Sequence, residues 1–238
     1  MRIHFIIHEH FEAPGAYEIW ATRRGFHIGY SRVYEGEPLP LNVDAIDLLI
    51  VMGGPQNPAT TQAQCAHFNA KAEQACILSA IRAGKAVIGV CLGAQLIGEA
   101  LGARYAASPE REIGKFPITL TPAGLHHPLM AHFGAMLPVG HWHNDMPGLT
   151  PDAHVLAFSA GCPRQIVAYS DVVFGFQCHM ELTKEVVALL IEHDAVEVSE
   201  HHPFVESPQR LMQHDYEDMN QTLYQFLDQL VAYYQARC

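Results

Sequence analysis

The chain predicts an α/β protein: a doubly wound, mostly parallel sheet flanked by helices, with small antiparallel additions and a C-terminal helical extension. Three observations lead there. Apolar runs of strand length alternate with helix-length segments as far as Gly102, shorter extended pieces broken by Gly, Pro and Asp follow from 103 to 180, and a Leu- and aromatic-rich stripe runs through the last part of the chain. Strands alternating with helices pair in parallel through right-handed crossovers, whereas short strands joined by tight turns pair antiparallel.

Taken in order, Arg2 to His8 reads as a strand, and Pro14 to Arg24 as a helix with proline near its first turn and Gly25 at its end. Phe26 to Tyr34 reads as extended. Ala45 to Met52 is a continuous apolar run ending in Gly53-Gly54-Pro55, the pattern of a strand covered on both faces. His67 to Ala83 carries helical spacing through Phe68, Ala72, Ala75, Cys76, Ser79 and Ala80, and stops at Gly84. Lys85 to Val90 is a second buried strand, and Leu92 to Leu101 a helix ended by Gly102. Four extended pieces follow at Phe116–Thr121, His154–Ser159, Gln165–Tyr169 and Val172–Gln177, then a helix from Thr183 to Glu192. A polar connection is expected over 195–206. The final helix places Leu223, Phe226, Leu227, Leu230 and Tyr233 on its apolar face. Residues 1–194 are thus expected to form one domain, and 195–238 an extension packed on it.

Composition narrows the function. The 238 residues carry a net charge of −11 with 14 Lys and Arg, and no basic stretch is interleaved with aromatics, which argues against nucleic acid and anionic membrane as partners. The N-terminus lacks a signal peptide's apolar middle region, and no segment has the apolar length of a spanning helix, so a cytoplasmic protein is expected. Six cysteines without a C-x-x-C pair argue for reduced thiols rather than zinc or a disulfide framework. Among 16 histidines, His141 and His143 would share a face if their stretch is a strand. Without a third ligand at a recognisable spacing, they read as hydrogen-bonded histidines; no metal and no cofactor are expected.

The chemistry concentrates at Gly89-Val-Cys-Leu-Gly93. A strand ending in Gly-x-Cys-x-Gly and turning into a helix forms a nucleophile elbow, which lifts the central side chain above the sheet edge. The helix from Leu92 aims its positive end at sulfur, predicting a lowered thiol pKa, and the Leu92 amide becomes a candidate oxyanion donor. The competing reading is a buried structural cysteine whose glycines serve packing alone. A base and an orienting group favour the nucleophile: His179 and Glu181 follow the last apolar strand, and strand ends of such sheets converge on one crevice. Gly53 and Gly54 either make a simple turn or bring backbone close to a ligand with an N–H turned to a developing oxyanion.

With these pieces assembled, the chain resembles the class I (triad) glutamine amidotransferases, and among them proteins similar to the glutaminase domain of GMP synthase. The resemblance rests on Gly53-Gly54-Pro55, on Gly89-Val-Cys-Leu-Gly-Ala-Gln95 and on Gly175-Phe-Gln-Cys-His-Met-Glu181, in that order, and covers about residues 40 to 190. It implies a flavodoxin-like sheet, a triad of Cys91, His179 and Glu181, an oxyanion hole from the Gly54 and Leu92 amides, and a γ-glutamyl substrate whose side-chain amide is cleaved to glutamate and ammonia. It also implies substrate contacts from Gln95, with Gly53 beside them, and from His143, Asn144 and Asp145 in the segment whose backbone would hold the amino-acid head. One departure is Met180, where the family has proline; the triad types remain, but a rigid link between His179 and Glu181 is lost.

No phosphate-binding loop or dinucleotide fingerprint accompanies these motifs, so no ATP-dependent synthetase step is expected in this chain. Three readings stay open: a glutamine hydrolase whose ammonia acceptor is a synthetase on another chain, a free-standing γ-glutamyl peptide hydrolase, or a non-catalytic regulatory or binding module on the same fold. The intact Cys, His and Glu favour the first two, and glutamine amide hydrolysis is the first expectation.

Overall fold

The computed structural model describes residues 1–194 and 202–237. Its first half follows the alternation read from the sequence: β1 (Arg2–Ile7), α1 (Ala16–Arg23), β2 (His27–Arg32), β3 (Leu48–Val51), α2 (Ala70–Arg82), β4 (Ala86–Val90) and α3 (Leu92–Ala100). Then come β5 (Ala106–Leu120), α4 (Pro122–His126), β6 (Met136–Met146), β7 (His154–Phe158), β8 (Ile166–Ser170), β9 (Val173–Phe176), α5 (Lys184–His193), α6 (Pro208–Gln213) and α7 (Glu217–Arg237).

All nine strands share one sheet, in the order β2-β1-β3-β4-β9-β8-β7-β5-β6. From β2 to β9 the pairings are parallel. From β9 to β6 they are antiparallel. The chain leaves β1 to one side for β2 and returns on the other for β3, and right-handed crossovers then put α1 on the opposite face from α2 and α3. Accordingly α1 packs with α7, and α2 with α3. Leu48, Leu49, Ile50 and Val51 of β3 are all shielded from solvent, as a strand covered on both faces must be.

The antiparallel part extends further than the sequence suggested. The piece read at Phe116–Thr121 is the end of a 15-residue strand, and β6, considered only conditionally at His141–His143, is its long partner. Pro117 faces Pro138, and the register shifts between Ala107 and Glu112, so the pair carries the breakers and irregularity that hide a strand from pattern reading. The strand read from Ala45 begins only at Leu48 because the preceding residues make a turn closed by the Ile46 amide donating to the Val43 carbonyl, 3.0 Å.

The expected connection over 195–206 lies outside the described residues as far as His201. Beyond it, the Ile113 amide donates to the Phe204 carbonyl and the Glu206 amide to the Ile113 carbonyl, both at 2.8 Å, so this stretch pairs with the open edge of β5. On α7, Leu223, Phe226, Leu227 and Leu230 are buried, and the Phe226 ring meets Phe133, Phe174 and Phe176 edge-on. Tyr233 is a correction: it stands 39 % exposed and bonds Asp171, while Tyr234, one helical step on, turns to the core. The Trp20 indole donates to Asp228 at 2.8 Å, tying α1 to α7. Among the described residues no helix is long and apolar enough to cross a membrane, and five described cysteines are free thiols; Cys238 lies outside them.

Candidate active site

The C-terminal ends of β1, β3, β4 and β9 meet where the sheet changes winding direction, the position at which open α/β sheets hold ligands. Cys91 occupies the step from β4 to α3 with φ 50° and ψ −106°, and among the described residues it alone, apart from glycine, takes a positive φ. Such a conformation costs on the order of 1–3 kcal/mol and persists where the surroundings fix it. Here its amide donates to the Phe176 carbonyl at 2.7 Å, locking the turn to β9. The flanking glycines are packing requirements: a Cβ on Gly89 would stand 2.3 Å from the Gly93 carbonyl, and one on Gly93 only 2.0 Å from the Val51 carbonyl. The first turn of α3 therefore rests directly on β3 and β4, with the Leu92 amide among its free N-terminal donors.

His179 and Glu181 follow β9. His179 Nδ1 lies 2.6 Å from Glu181 Oε1, both groups are buried, and His179 Nε2 faces the Cys91 thiol without reaching hydrogen-bond geometry. Burial opposes a charged imidazole, but Glu181 and the sulfur outweigh it and hold His179 well above its ordinary pKa. The thiol departs from expectation. A lowered pKa was predicted from the helix N-terminus, yet burial pushes Cys91 up, against the downward pull of His179. Desolvation of the sulfur is the largest contribution, and the charges of Glu12 and Glu181 act in the same direction.

The backbone linking the pair is held from several sides. The His179 amide donates to the Gly140 carbonyl at 2.8 Å, and the Glu181 carbonyl accepts from the Ala16 amide at 2.9 Å. Asn220 of α7, buried, donates its side-chain amide to the carbonyls of Met180 at 2.8 Å and Leu182 at 3.1 Å. Met180 itself is fully buried. The link between His179 and Glu181 is thus fixed by the packing of Met180 and by Asn220.

On the opposite wall, His8 after β1 donates from Nδ1 to the Gly53 carbonyl at 2.8 Å, while its Nε2 contacts Glu73 Oε2 of α2 at 2.7 Å. Burial disfavours charge on His8, but Glu73 outweighs it and raises the pKa, so the ring serves both acceptors as an imidazolium. Because a trans peptide carries C=O and N–H on opposite sides, pinning the Gly53 carbonyl fixes the direction of the Gly54 N–H. His8 and Glu73 were not found from the sequence. The available signal was His8's place just beyond a buried strand.

Between these walls lies a pocket of about 310 Å³, lined by Cys91 at its base, Gly54, Pro55, Gln56, Asn57, Gln95, the Trp142–Asp145 stretch of β6, and the carboxyl groups of Glu12 and Asp194. Among the described residues no Lys or Arg lines it. Gln95 Nε2 donates to Gln177 Oε1 at 3.3 Å, and its own Oε1 has no partner among the described residues. Asn144 accepts from Arg111 at 2.6 Å, and burial raises the Asp145 pKa. Glu12 went unnoticed in the sequence, yet its carboxyl approaches Gly53 beside the His179 ring, and burial pushes it up to about 7. Trp142 closes the rim by donating to Asp194 at 2.8 Å.

Of the residues expected to meet substrate, Gln95, Asn144 and Asp145 border the pocket, and Gly53 stands behind it with its carbonyl on His8. The His143 segment contributes to the wall, but its imidazole is engaged by Glu112 and Gln165. Burial pulls His141 down to about 3 and lowers His143 as well.

Comparison with known proteins follows this geometry. Residues 22–195 match the family model for class-I glutamine amidotransferases. A glutamine amidotransferase-like protein of Salmonella typhimurium is 56% identical over 232 residues, covering 97% of each chain. A glutamine-hydrolysing GMP synthase of Thermomicrobium roseum is 34% identical over 103 residues, which is 43% of this chain and 19% of that one. Among solved structures, SMU.1228c superposes with a TM-score of 0.95 at 48% identity, over 97% of this chain and 100% of its own. A glutamine amidotransferase from Thermotoga maritima shares the fold with a TM-score of 0.85 at 21% identity, over 97% of this chain and 98% of its own.

Proposed function

The chain belongs to the class-I glutamine amidotransferase family, and on that premise we propose that it hydrolyses the side-chain amide of glutamine to glutamate and ammonia through a thioester on Cys91. The observation that carries the proposal is the meeting of a conformationally constrained thiol, which lines the pocket, with a buried His179–Glu181 pair beside it.

His179 takes the proton of the thiol as sulfur attacks the amide carbon, and the oxygen gains charge between the Gly54 and Leu92 amides. Collapse returns that proton to nitrogen, which leaves as ammonia. Water, deprotonated by the same imidazole, then opens the thioester and releases glutamate. Glu181 holds the ring in the tautomer that presents Nε2 to sulfur and stabilises the imidazolium. Glu181 raises the basicity of His179, which suits the ring to take the thiol proton. Gln95 and the Asn144–Asp145 edge hold the amino-acid head, and the acidic lining suits its ammonium group.

Cys91→Ala is expected to abolish ammonia release from glutamine while circular dichroism stays unchanged; retained turnover would remove the thioester mechanism. Offering free glutamine and γ-glutamyl dipeptides side by side, with ammonia and released amine both followed, sets the substrate. Rapid dipeptide cleavage with slow glutamine turnover would replace glutamine hydrolysis by γ-glutamyl peptide hydrolysis.

A further inference from the structure

Behind the pocket wall, on the face of β6 that carries the two histidines, lies a second cluster of chemistry-bearing groups. His141 and His143 share one side of the strand, and Glu112 of β5 is the cross-strand partner of His143. Glu112 and His141 are fully buried and His143 nearly so. Glu112 Oε2 stands 3.3 Å from His143 Nε2 and 3.7 Å from His141 Nδ1, and one donor atom from each residue lies within 4.8 Å of the others.

Hydrogen bonding leaves this cluster short of positive charge. His141 Nε2 lies 3.1 Å from the Phe116 carbonyl, which can only accept, so Nε2 carries the hydrogen and Nδ1 bears a lone pair. Among the described residues that Nδ1 has no hydrogen-bond partner, and it faces a carboxylate oxygen. Two lone pairs turned toward each other in a dry interior are unfavourable unless a cation stands between them. Gln165 repeats the pattern. Its Nε2 lies 2.7 Å from Glu112 Oε2, 2.9 Å from Ser159 Oγ and 3.1 Å from His143 Nε2, three contacts for two hydrogens, while its buried Oε1 has no partner among the described residues. Exchange of the amide's N and O would turn a carbonyl oxygen toward the same centre.

We infer that Glu112, His141 and His143 form a buried binding site for a divalent ion of the zinc class, with Gln165 Oε1 able to complete four-coordination. Ligand atoms about 2.0–2.1 Å from a tetrahedral zinc stand about 3.3 Å apart. The observed 3.3 Å matches this spacing and 3.7 Å exceeds it by a few tenths of an ångström, so small side-chain shifts would close a coordination shell. Two imidazoles and a carboxylate select zinc and its neighbours over magnesium and calcium. Spacing along the chain hid the site because its carboxylate comes from the neighbouring strand. The ion would not touch substrate. It would brace β6, whose Trp142–Asp145 stretch forms one wall of the pocket.

The test uses the full chain, purified without chelator and dialysed, with bound metal measured by mass spectrometry. The expected result is about one zinc per chain, unchanged in Cys91→Ser and in Cys65→Ser, and reduced below about a tenth in Glu112→Gln and His141→Ala. Loss of the metal in either cysteine variant would move it to the thiol pocket or to the exposed Glu9, Cys65 and His67 group, and would overturn the assignment. Should a ligand variant fail to fold, wild-type protein stripped of metal and titrated with Co²⁺ decides alone. A d–d spectrum of tetrahedral nitrogen and oxygen ligation supports the site, and its absence reduces the cluster to a hydrogen-bond network.

Discussion

At the scale of single residues, Glu12 shows how burial governs this site. Its carboxyl has an ordinary pKa of 4.5 and is pushed up to about 7 chiefly by burial, while neighbouring His179 pulls it down. Below about pH 4.5 the folded and unfolded chains both hold the proton, and Glu12 contributes nothing to stability. Between about pH 4.5 and 7 the folded chain keeps a proton that the unfolded chain releases, so stability falls as pH rises. Glu12→Gln removes this cost. Urea denaturation should show a gain on the order of 2–3 kcal/mol at about pH 8 and little at about pH 4.5. Equal gains at both would disprove the titration. On the other wall, His8→Phe releases the Gly53 carbonyl and with it the direction of the Gly54 amide; kcat for glutamine should fall about a hundredfold, the scale of one lost oxyanion donor. An unchanged kcat would show that the peptide keeps its direction without the imidazolium.

At the scale of elements, α7 reaches the site through Asn220, which donates to the carbonyls on either side of Glu181. Asn220→Ala strands two buried acceptors and loosens the link between His179 and Glu181. We expect kcat to fall about tenfold with KM little changed, and the acidic limb of the pH–rate profile to shift, because alignment rather than substrate contact is lost. A change confined to thermal stability would mark Asn220 as structural only. The sequence presents the parts of the site that sit on glycine-punctuated strand ends, because elbow, turn and strand end each have a residue pattern. It does not present Asn220, Glu73 or Glu112, which belong to ordinary-looking helix and strand positions and acquire meaning from what lies across from them. For the same reason the β5–β6 pair was legible only in part: its prolines and shifted register are tolerated by the pairing they disguise.

At the scale of the whole molecule, one sheet joins a parallel half that supplies Cys91 and the turn after β3 to an antiparallel half that supplies the pocket wall. Alternation in the sequence revealed the first half, whereas the second depends on long-range pairing that no local pattern encodes. Phe226 binds the halves together, its ring resting on Phe174 and Phe176 of β9 and on Phe133 before β6. Phe226→Ala should cost about 3–5 kcal/mol in chemical denaturation, the range for truncating a large buried aromatic. A loss well under that would mean that α7 is a loosely held attachment. The Asn220 bonds also set an order of events. A chain made from its amino end delivers Cys91, His179 and Glu181 before the helix that fixes their link. During synthesis the proposed nucleophile thus emerges before its proposed base is aimed, and docking of α7 through Asn220 is the step that completes the site.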